Sequence, residues 1–214
     1  MVLFRLTFLK TIYGLDARHT LFELFPKEEL DDLFQQLLAD HDALAILSTH
    51  AINFLYLYSR VVLEDESMFD PASFVQVGAE QYDLNNPIHL QLYIYLYTHC
   101  IIGESNFYSR KLPEKHLGTY QKMMDELESC IGTNFTGVNL DNKFEFLVCC
   151  KLVGKVSKLE TKIFAEAEQS VSDDGIYLVD RHNTNPQTAN STLDLSEHRN
   201  VLFIMANREP SRLI

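Results

Sequence analysis

The segment that most constrains the fold is the apolar run from Asn86 to Arg110. It begins with an Asn-Pro pair, which suits the N-cap and first turn of a helix, and continues Ile-His-Leu-Gln-Leu-Tyr-Ile-Tyr-Leu-Tyr-Thr-His-Cys-Ile-Ile. Apolar and aromatic side chains cover most of the helix circumference, a pattern typical of a helix that is buried on nearly all sides. The sequence therefore predicts a central helix around which the other elements pack.

A shorter segment of the same kind lies upstream, from Ala43 to Leu63, with Asp42 as its predicted N-cap. Its Thr49-His50 pair precedes Thr98-His99 of the central segment by 49 residues. The correspondence predicts a repeated unit whose interior helix carries a Thr-His pair.

Turn and capping signals divide the rest of the chain into further helices. Gly14, Gly132 and Gly154 are typical residues at helix C-termini, and Asn142-x-x-Glu145 and Ser157-x-x-Glu160 have the pattern of capping boxes. Helices are predicted near residues 2–13, 17–25, 26–38, 43–63, 71–79, 87–103, 113–131, 142–153, 158–170 and 194–205.

The predicted fold class is all-α, with about nine or ten helices stacked as hairpins in which inner and outer helices alternate about every 50 residues. Over residues 16–180 this arrangement resembles an open or incomplete α/α toroid, the hairpin ring of several glycosidases, sugar epimerases and terpenoid or lanthionine cyclases. No motif accompanies the resemblance, so it implies no catalytic residue. We expect one helical domain over residues 1–208, a short extended segment at 176–179, a polar loop or flap at 181–193 and a tail at 209–214.

Charge and cysteine usage limit the partners and the compartment. The net charge is −12, and such a surface repels nucleic acid and anionic membranes. Four cysteines form no Cys-x-x-Cys pair and are expected as buried thiols in a reducing compartment. Arg5 and Lys10 interrupt the first apolar run, and no run approaches the roughly 20 residues that span a bilayer. We therefore predict a cytoplasmic location.

Two histidines and two glutamates are candidates for chemistry. His50 and His99 are expected on apolar helix surfaces, either as acid, base or ligand groups or as buried packing residues. Glu104 and Glu145 share helix faces with apolar or aromatic residues, and burial would raise their pKa values. Structural roles compete with this interpretation, since Glu145 fits the N3 position of a capping box and Glu104 follows Gly103 near a helix end.

The sequence contains neither a His-Glu-x-x-His motif nor a glycine-rich loop after a strand, so we predict neither a metal nor a cofactor. The first hypothesis is a helical-repeat interaction protein that binds a protein partner or a small polar ligand through a concave surface of inner helices, and it allows an oligomer. The rival is an α/α-toroid-like enzyme that acts on a polar organic or sugar-like substrate by acid-base chemistry. Its catalytic residues would be Glu104, His99 and Asp180. Its substrate-binding residues would be His50, Tyr56, Tyr93, Tyr97, Tyr108, Glu145, Arg181, His182 and Asn183.

Overall fold

A computed structural model describes residues 2–65, 70–171 and 193–208. Eleven α-helices and one π-helical turn form the regular structure of these residues, which confirms the all-α prediction. The chain divides into two compact units, residues 1–104 and residues 105–214. No helix of the described ranges is long and apolar enough to cross a membrane.

Unit 1 contains seven α-helices among its described residues. They are α1 (Val2–Tyr13), α2 (Arg18–Leu24), α3 (Lys27–Ala39), α4 (His41–Leu47), α5 (Thr49–Tyr58, continued by the π-helical turn Ser59–Leu63), α6 (Pro71–Gln81) and α7 (Pro87–Glu104). Helix α7 is the predicted central helix, and it packs against α4, α5 and α6. Helix α1 packs against α5, its π-helical turn and α2.

Several ends of these helices follow the predicted signals. Gly14 adopts the left-handed conformation (φ 66°) directly after α1. The side chain of Asp70 accepts a hydrogen bond of 2.9 Å from the backbone N–H of Ala72 at the start of α6. In the same way, Asn86 Oδ1 accepts one of 2.9 Å from Ile88 N at the start of α7. Each contact satisfies a backbone donor that the first turn of a helix leaves without a partner.

The prediction of one helix over residues 43–63 is wrong, because the chain breaks at Ser48. Ser48 has φ 39° and ψ −110°, and its hydroxyl donates a hydrogen bond of 3.0 Å to the backbone oxygen of Leu92 on α7. The N-cap is also earlier than predicted, since Asp40 rather than Asp42 accepts from Ala43 N at 2.9 Å. Ser48 makes this hydrogen bond to α7 from a backbone conformation that an unbroken helix does not allow.

Two glycines let α7 approach its neighbours closely. A Cβ atom on Gly103 would lie 2.4 Å from ring atom Cδ2 of Tyr56 on α5. A Cβ atom on Gly78 of α6 would lie 2.7 Å from Cε1 of Tyr97. Both distances are far below van der Waals contact, so the tyrosine rings occupy the space that a larger residue would need.

Unit 2 is organised around one helix with neighbours on three sides. Its described helices are α8 (Glu114–Thr133), α9 (Leu140–Leu152), α10 (Glu160–Glu168) and α11 (Leu193–Asn207). Helix α9 packs against α8, α10 and, most extensively, α11. Gly154 is left-handed (φ 71°) after α9, which confirms the predicted stop between α9 and α10.

The predicted capping box at Asn142 and Glu145 is wrong. The N-cap of α9 is Asn139, whose side chain accepts a hydrogen bond of 2.8 Å from the backbone N–H of Asn142. Asn142 therefore occupies the third helical position, and Glu145 lies in the next turn. The burial of Glu145 consequently needs an explanation other than capping.

The extended segment at 176–179, residues 181–192 of the polar loop and the tail at 209–214 lie outside the described residues, and Leu193 is the first residue of α11. The hairpin ring and the single domain stay predictions.

Candidate functional site

Three of the predicted substrate-binding tyrosines lie in the core of unit 1. Tyr56, Tyr93 and Tyr97 are all buried, and the ring centroids of Tyr93 and Tyr97 are 4.5 Å apart. Tyr56 and Tyr97 fill the spaces beside Gly103 and Gly78. Their contacts are those of core residues that set the separation of α5, α6 and α7.

The two Thr-His pairs differ in their surroundings. His99 is half-buried on α7, and its Nδ1 lies 3.0 Å from Oδ1 of Asn53 on α5. His50 is exposed in the first turn of α5, directly after the break at Ser48. Of the two histidines, His99 therefore makes a polar contact between interior helices, whereas His50 is exposed. Its predicted catalytic role stays a prediction.

Glu104 is buried at the last residue of α7. Burial raises the pKa of Cys100, one turn earlier, well above its usual value, and the nearby Glu104 adds to that shift. The predicted partners Asp180, Arg181, His182 and Asn183 lie outside the described residues.

Unit 2 contains a cluster of ionisable groups that the sequence did not predict as a unit. We call it the α9 charged cluster, and it consists of Asp141, Lys143 and Glu145 on α9, Glu166 on α10, and His198 and Arg199 on α11. Successive members on α9 are two positions apart, so they point to different sides of the helix. Each contacts an ionisable group of a neighbouring helix.

Lys143 is the most buried charge of the cluster. Its side chain is fully buried, and Nζ donates a hydrogen bond of 2.5 Å to Oε2 of Glu166. The same Nζ lies 4.0 Å from the centroid of the Phe135 ring, which adds a cation–π contact. Separation of Lys143 from Glu166 would be costly, because it would leave a buried charge without compensation.

Glu145 forms the part of the cluster that has a chemical interpretation. Its carboxylate is buried, and Oε1 lies 3.5 Å from Nε2 of His198, whose side chain is 68% exposed. The hydrogen bond that the His198 imidazole donates to the Glu145 carboxylate raises the pKa of His198 above its ordinary value. The pair thus favours the protonated form of an accessible imidazole, an arrangement that can serve general acid-base chemistry or attract an anion.

Tyr108 is the one predicted tyrosine near this pair. Burial raises its pKa well above the usual value, and Cys149 and Glu145 of α9 add to that shift. The predicted residues Tyr108 and Glu145 are therefore brought close together within unit 2. The phenol stays neutral at physiological pH and can act only as a hydrogen-bonding group.

Arg199 and Asp141 complete the cluster beside α11. Nη2 of Arg199 donates a hydrogen bond of 3.0 Å to Oδ2 of Asp141, and its Nε lies 3.0 Å from Oδ1. The adjacent Asn142 is buried, and its Nδ2 makes no hydrogen bond within the described ranges. The pair joins α9 and α11 where α9 begins.

A second candidate surface lies on α1, which is apolar on its outer as well as its inner side. Leu6 and Thr7 are buried, whereas Phe4, Phe8 and Ile12 are exposed by 43%, 50% and 59%. These three side chains, which we call the α1 stripe, lie on one helix face because they are four residues apart. Other large apolar residues exposed in this part of the chain are Val2, Tyr13, Leu15, Leu24 and Phe25.

The sequence contains a signal for the α1 stripe and a weaker one for the α9 charged cluster. Phe4, Phe8 and Ile12 stand out as apolar residues on the side of α1 opposite Leu6. On α9, charged residues alternate with apolar ones from position 141 to 145, but the partners on α10 and α11 are at least 20 residues away. Only the tertiary structure pairs them.

Comparisons of this chain with family models, with curated proteins and with solved structures each found no match. Within the part of the chain that the structure describes, no group of three or more His, Cys, Asp or Glu side chains could hold a metal ion.

Proposed function

We propose that this chain is a non-enzymatic protein-binding module whose binding surface is the α1 stripe together with the adjacent exposed apolar residues. The observation that carries this proposal is the exposure of Phe4, Phe8 and Ile12 along one face of a helix that already buries its opposite face. Isolated exposed apolar residues are ordinary on protein surfaces, whereas a continuous row of large ones is typical of an interaction site.

The exposed apolar area of the α1 stripe determines how much free energy its burial could gain. A half-exposed phenylalanine leaves about 100 Å² in water, and burial of apolar area gains about 25 cal/mol per Å². The three side chains of the α1 stripe would together gain about 7 kcal/mol before the costs of association are subtracted. Association costs about 4–15 kcal/mol, so the adjacent exposed apolar residues must add to this gain before a specific partner is held.

The inner helices are less suited to binding than their sequence pattern predicts. The buried faces of α5 and α7 are occupied by contacts with each other and with neighbouring helices. The exposed apolar side chains therefore favour α1 over the inner helices as the binding surface.

The proposal can be tested with a photo-reactive phenylalanine analogue at position 4 of the full chain. We expect the analogue to cross-link a protein partner at high yield. The matched control carries the analogue at Ile88, which is 68% exposed at the start of α7 and lies outside the stripe. Equal yields from both positions would contradict the proposal.

Acid-base chemistry in unit 2 is the second candidate function. The contact between the buried carboxylate of Glu145 and the exposed imidazole of His198 favours it. This enzyme would use Glu145 and His198, with Tyr108 nearby, instead of the predicted Glu104 and His99. A metabolite that raises the melting temperature of the wild type but not of Glu145→Gln would support it, because a ligand of the folded state increases stability.

A further inference from the structure

The α1 stripe has the geometry of a helix-packing ridge. Phe4, Phe8 and Ile12 are separated by four residues, so they form one row of the kind that interdigitates with a similar row on another helix. Two such rows pack at a crossing angle of about −50°, the commonest class in globular proteins. The stripe is therefore complementary to a copy of itself.

A two-fold axis beside Phe8 places compatible residues opposite each other. Residue number r of one copy then lies beside residue 16 − r of the other, so Phe4 meets Ile12, Phe8 meets Phe8 and Arg5 meets Thr11. The two Arg5 positions are about 9 Å apart along the helix direction, because each residue of a helix rises about 1.5 Å. No pair of like charges is forced into contact.

The charge distribution of unit 1 also favours a contact between two copies through α1 and α2. Residues 2–25 carry three basic and two acidic side chains, whereas residues 26–104 carry two basic and thirteen acidic ones. Lys10 and Arg18 are also neutralised locally, since Lys10 forms an ion pair with Glu64 and Arg18 forms ion pairs with Asp16 and Glu64. Two copies would repel each other through most of unit 1, but they can approach through α1 and α2 without that cost.

The exposed apolar area of this part of the chain limits the size of the interface. The three side chains of the α1 stripe expose roughly 300 Å², and Val2, Tyr13, Leu15, Leu24 and Phe25, which lie outside the stripe, raise the total to roughly 800 Å². A standard interface buries about 800 Å² from each partner.

From these observations we infer that the occupant of the α1 stripe is a second copy of this chain, docked through an isologous α1–α1 contact centred on Phe8. The inference rests on the proposed binding function and names its partner. Because the contact is apolar and each copy is acidic, the dimer forms at least as well at high salt as at low salt. A partner that bound mainly through the acidic surface of unit 1 would instead be released by salt.

The test uses the full chain in sedimentation velocity experiments across the micromolar range. We expect the wild type to dimerise, and Phe8→Glu and Phe8→Lys to raise the dissociation constant at least about tenfold, because each places like charges on the axis. An equimolar mixture of the two variants should dimerise again, since only a two-fold contact brings position 8 against itself. Ile88→Glu is the matched surface control, and circular dichroism checks that each variant folds.

Three results would overturn the inference: a monomeric wild type, a dimer that both Phe8 variants leave intact, or a mixture that stays monomeric when each variant alone does. The cross-linking experiment separates these failures from that of the binding function. A monomeric wild type that still cross-links another protein at position 4 retains the binding function with a different partner. A monomer without position-dependent cross-links loses both.

Discussion

The two units bury different kinds of side chain around their central helices. Helix α7 of unit 1 is surrounded by aromatic and aliphatic residues, and glycines admit the rings of Tyr56 and Tyr97. Helix α9 of unit 2 buries Lys143 and Glu145 within its apolar surface and pairs both with neighbouring helices. The stability of unit 1 should therefore depend on the close fit of its side chains, and the stability of unit 2 should depend on charge pairing as well.

The largest effect is expected where a buried charge loses its partner. Lys143→Ala removes a fully buried side chain from beside Phe135 and leaves the mostly buried carboxylate of Glu166 without its partner, so unit 2 should lose about 3–5 kcal/mol of unfolding free energy. Urea denaturation measures the loss. Lys162→Ala is the matched control, because Nζ of Lys162 lies 3.7 Å from the same ring but the residue is exposed, and its loss should be below about 1 kcal/mol. Similar losses in both variants would show that the burial of Lys143 adds nothing to the stability of unit 2, and the contrast with unit 1 would then be wrong.

An intermediate effect is expected from the close helix approach in unit 1. Gly103→Ala places a Cβ atom against the base of the buried Tyr56 ring, which cannot rotate into solvent, so the chain should lose about 2 kcal/mol. Gly118→Ala on α8 is the control. A Cβ atom there meets nothing within 4 Å, so the better helix propensity of alanine should add about 0.5–1 kcal/mol. If Gly103→Ala were also stabilising, the proposed packing of α5 on α7 would be incorrect.

The smallest effect concerns pH and should be confined to unit 2. Glu145 raises the pKa of His198 in the folded chain, so their contact contributes stability that is fully present below about pH 6.5 and is lost as the pH rises through the folded value. Because His198 is mostly exposed, solvent screening keeps this contribution below about 1 kcal/mol. The stability difference between the wild type and His198→Gln should therefore shrink from about pH 6 to about pH 8.5. A constant difference, or a His198 titration in NMR spectra at the ordinary pKa, would contradict the pairing.

Local signals were sufficient to predict much of the helical pattern. Gly14, Gly154 and the Asp70-Pro71 pair mark helix ends at which the backbone itself requires a particular residue type. The break at Ser48 could not be predicted in this way, because the hydroxyl of Ser48 bonds Leu92, which is distant in the sequence. Local patterns do not contain such contacts.

For the same reason, the candidate site could be predicted only in part from the sequence. Glu145 was predicted as a candidate, but a capping role competed with it because Asn139 and Asn142 both have the residue type of an N-cap. The sequence does not predict the burial of Lys143, since a lysine on a helix is expected at the surface unless a partner is known. Its partner Glu166 lies on α10, and only the packing of α9 against α10 brings the two together.

The four free cysteines provide a way to follow each unit separately during unfolding. Cys100 is buried in unit 1, whereas Cys130, Cys149 and Cys150 are buried in unit 2. Because a buried thiol reacts with an alkylating reagent only when its surroundings open, timed labelling followed by peptide mass spectrometry would record the opening rate of each unit in one sample. The chain, which has no tryptophan, thus carries chemical reporters in place of a fluorescent one.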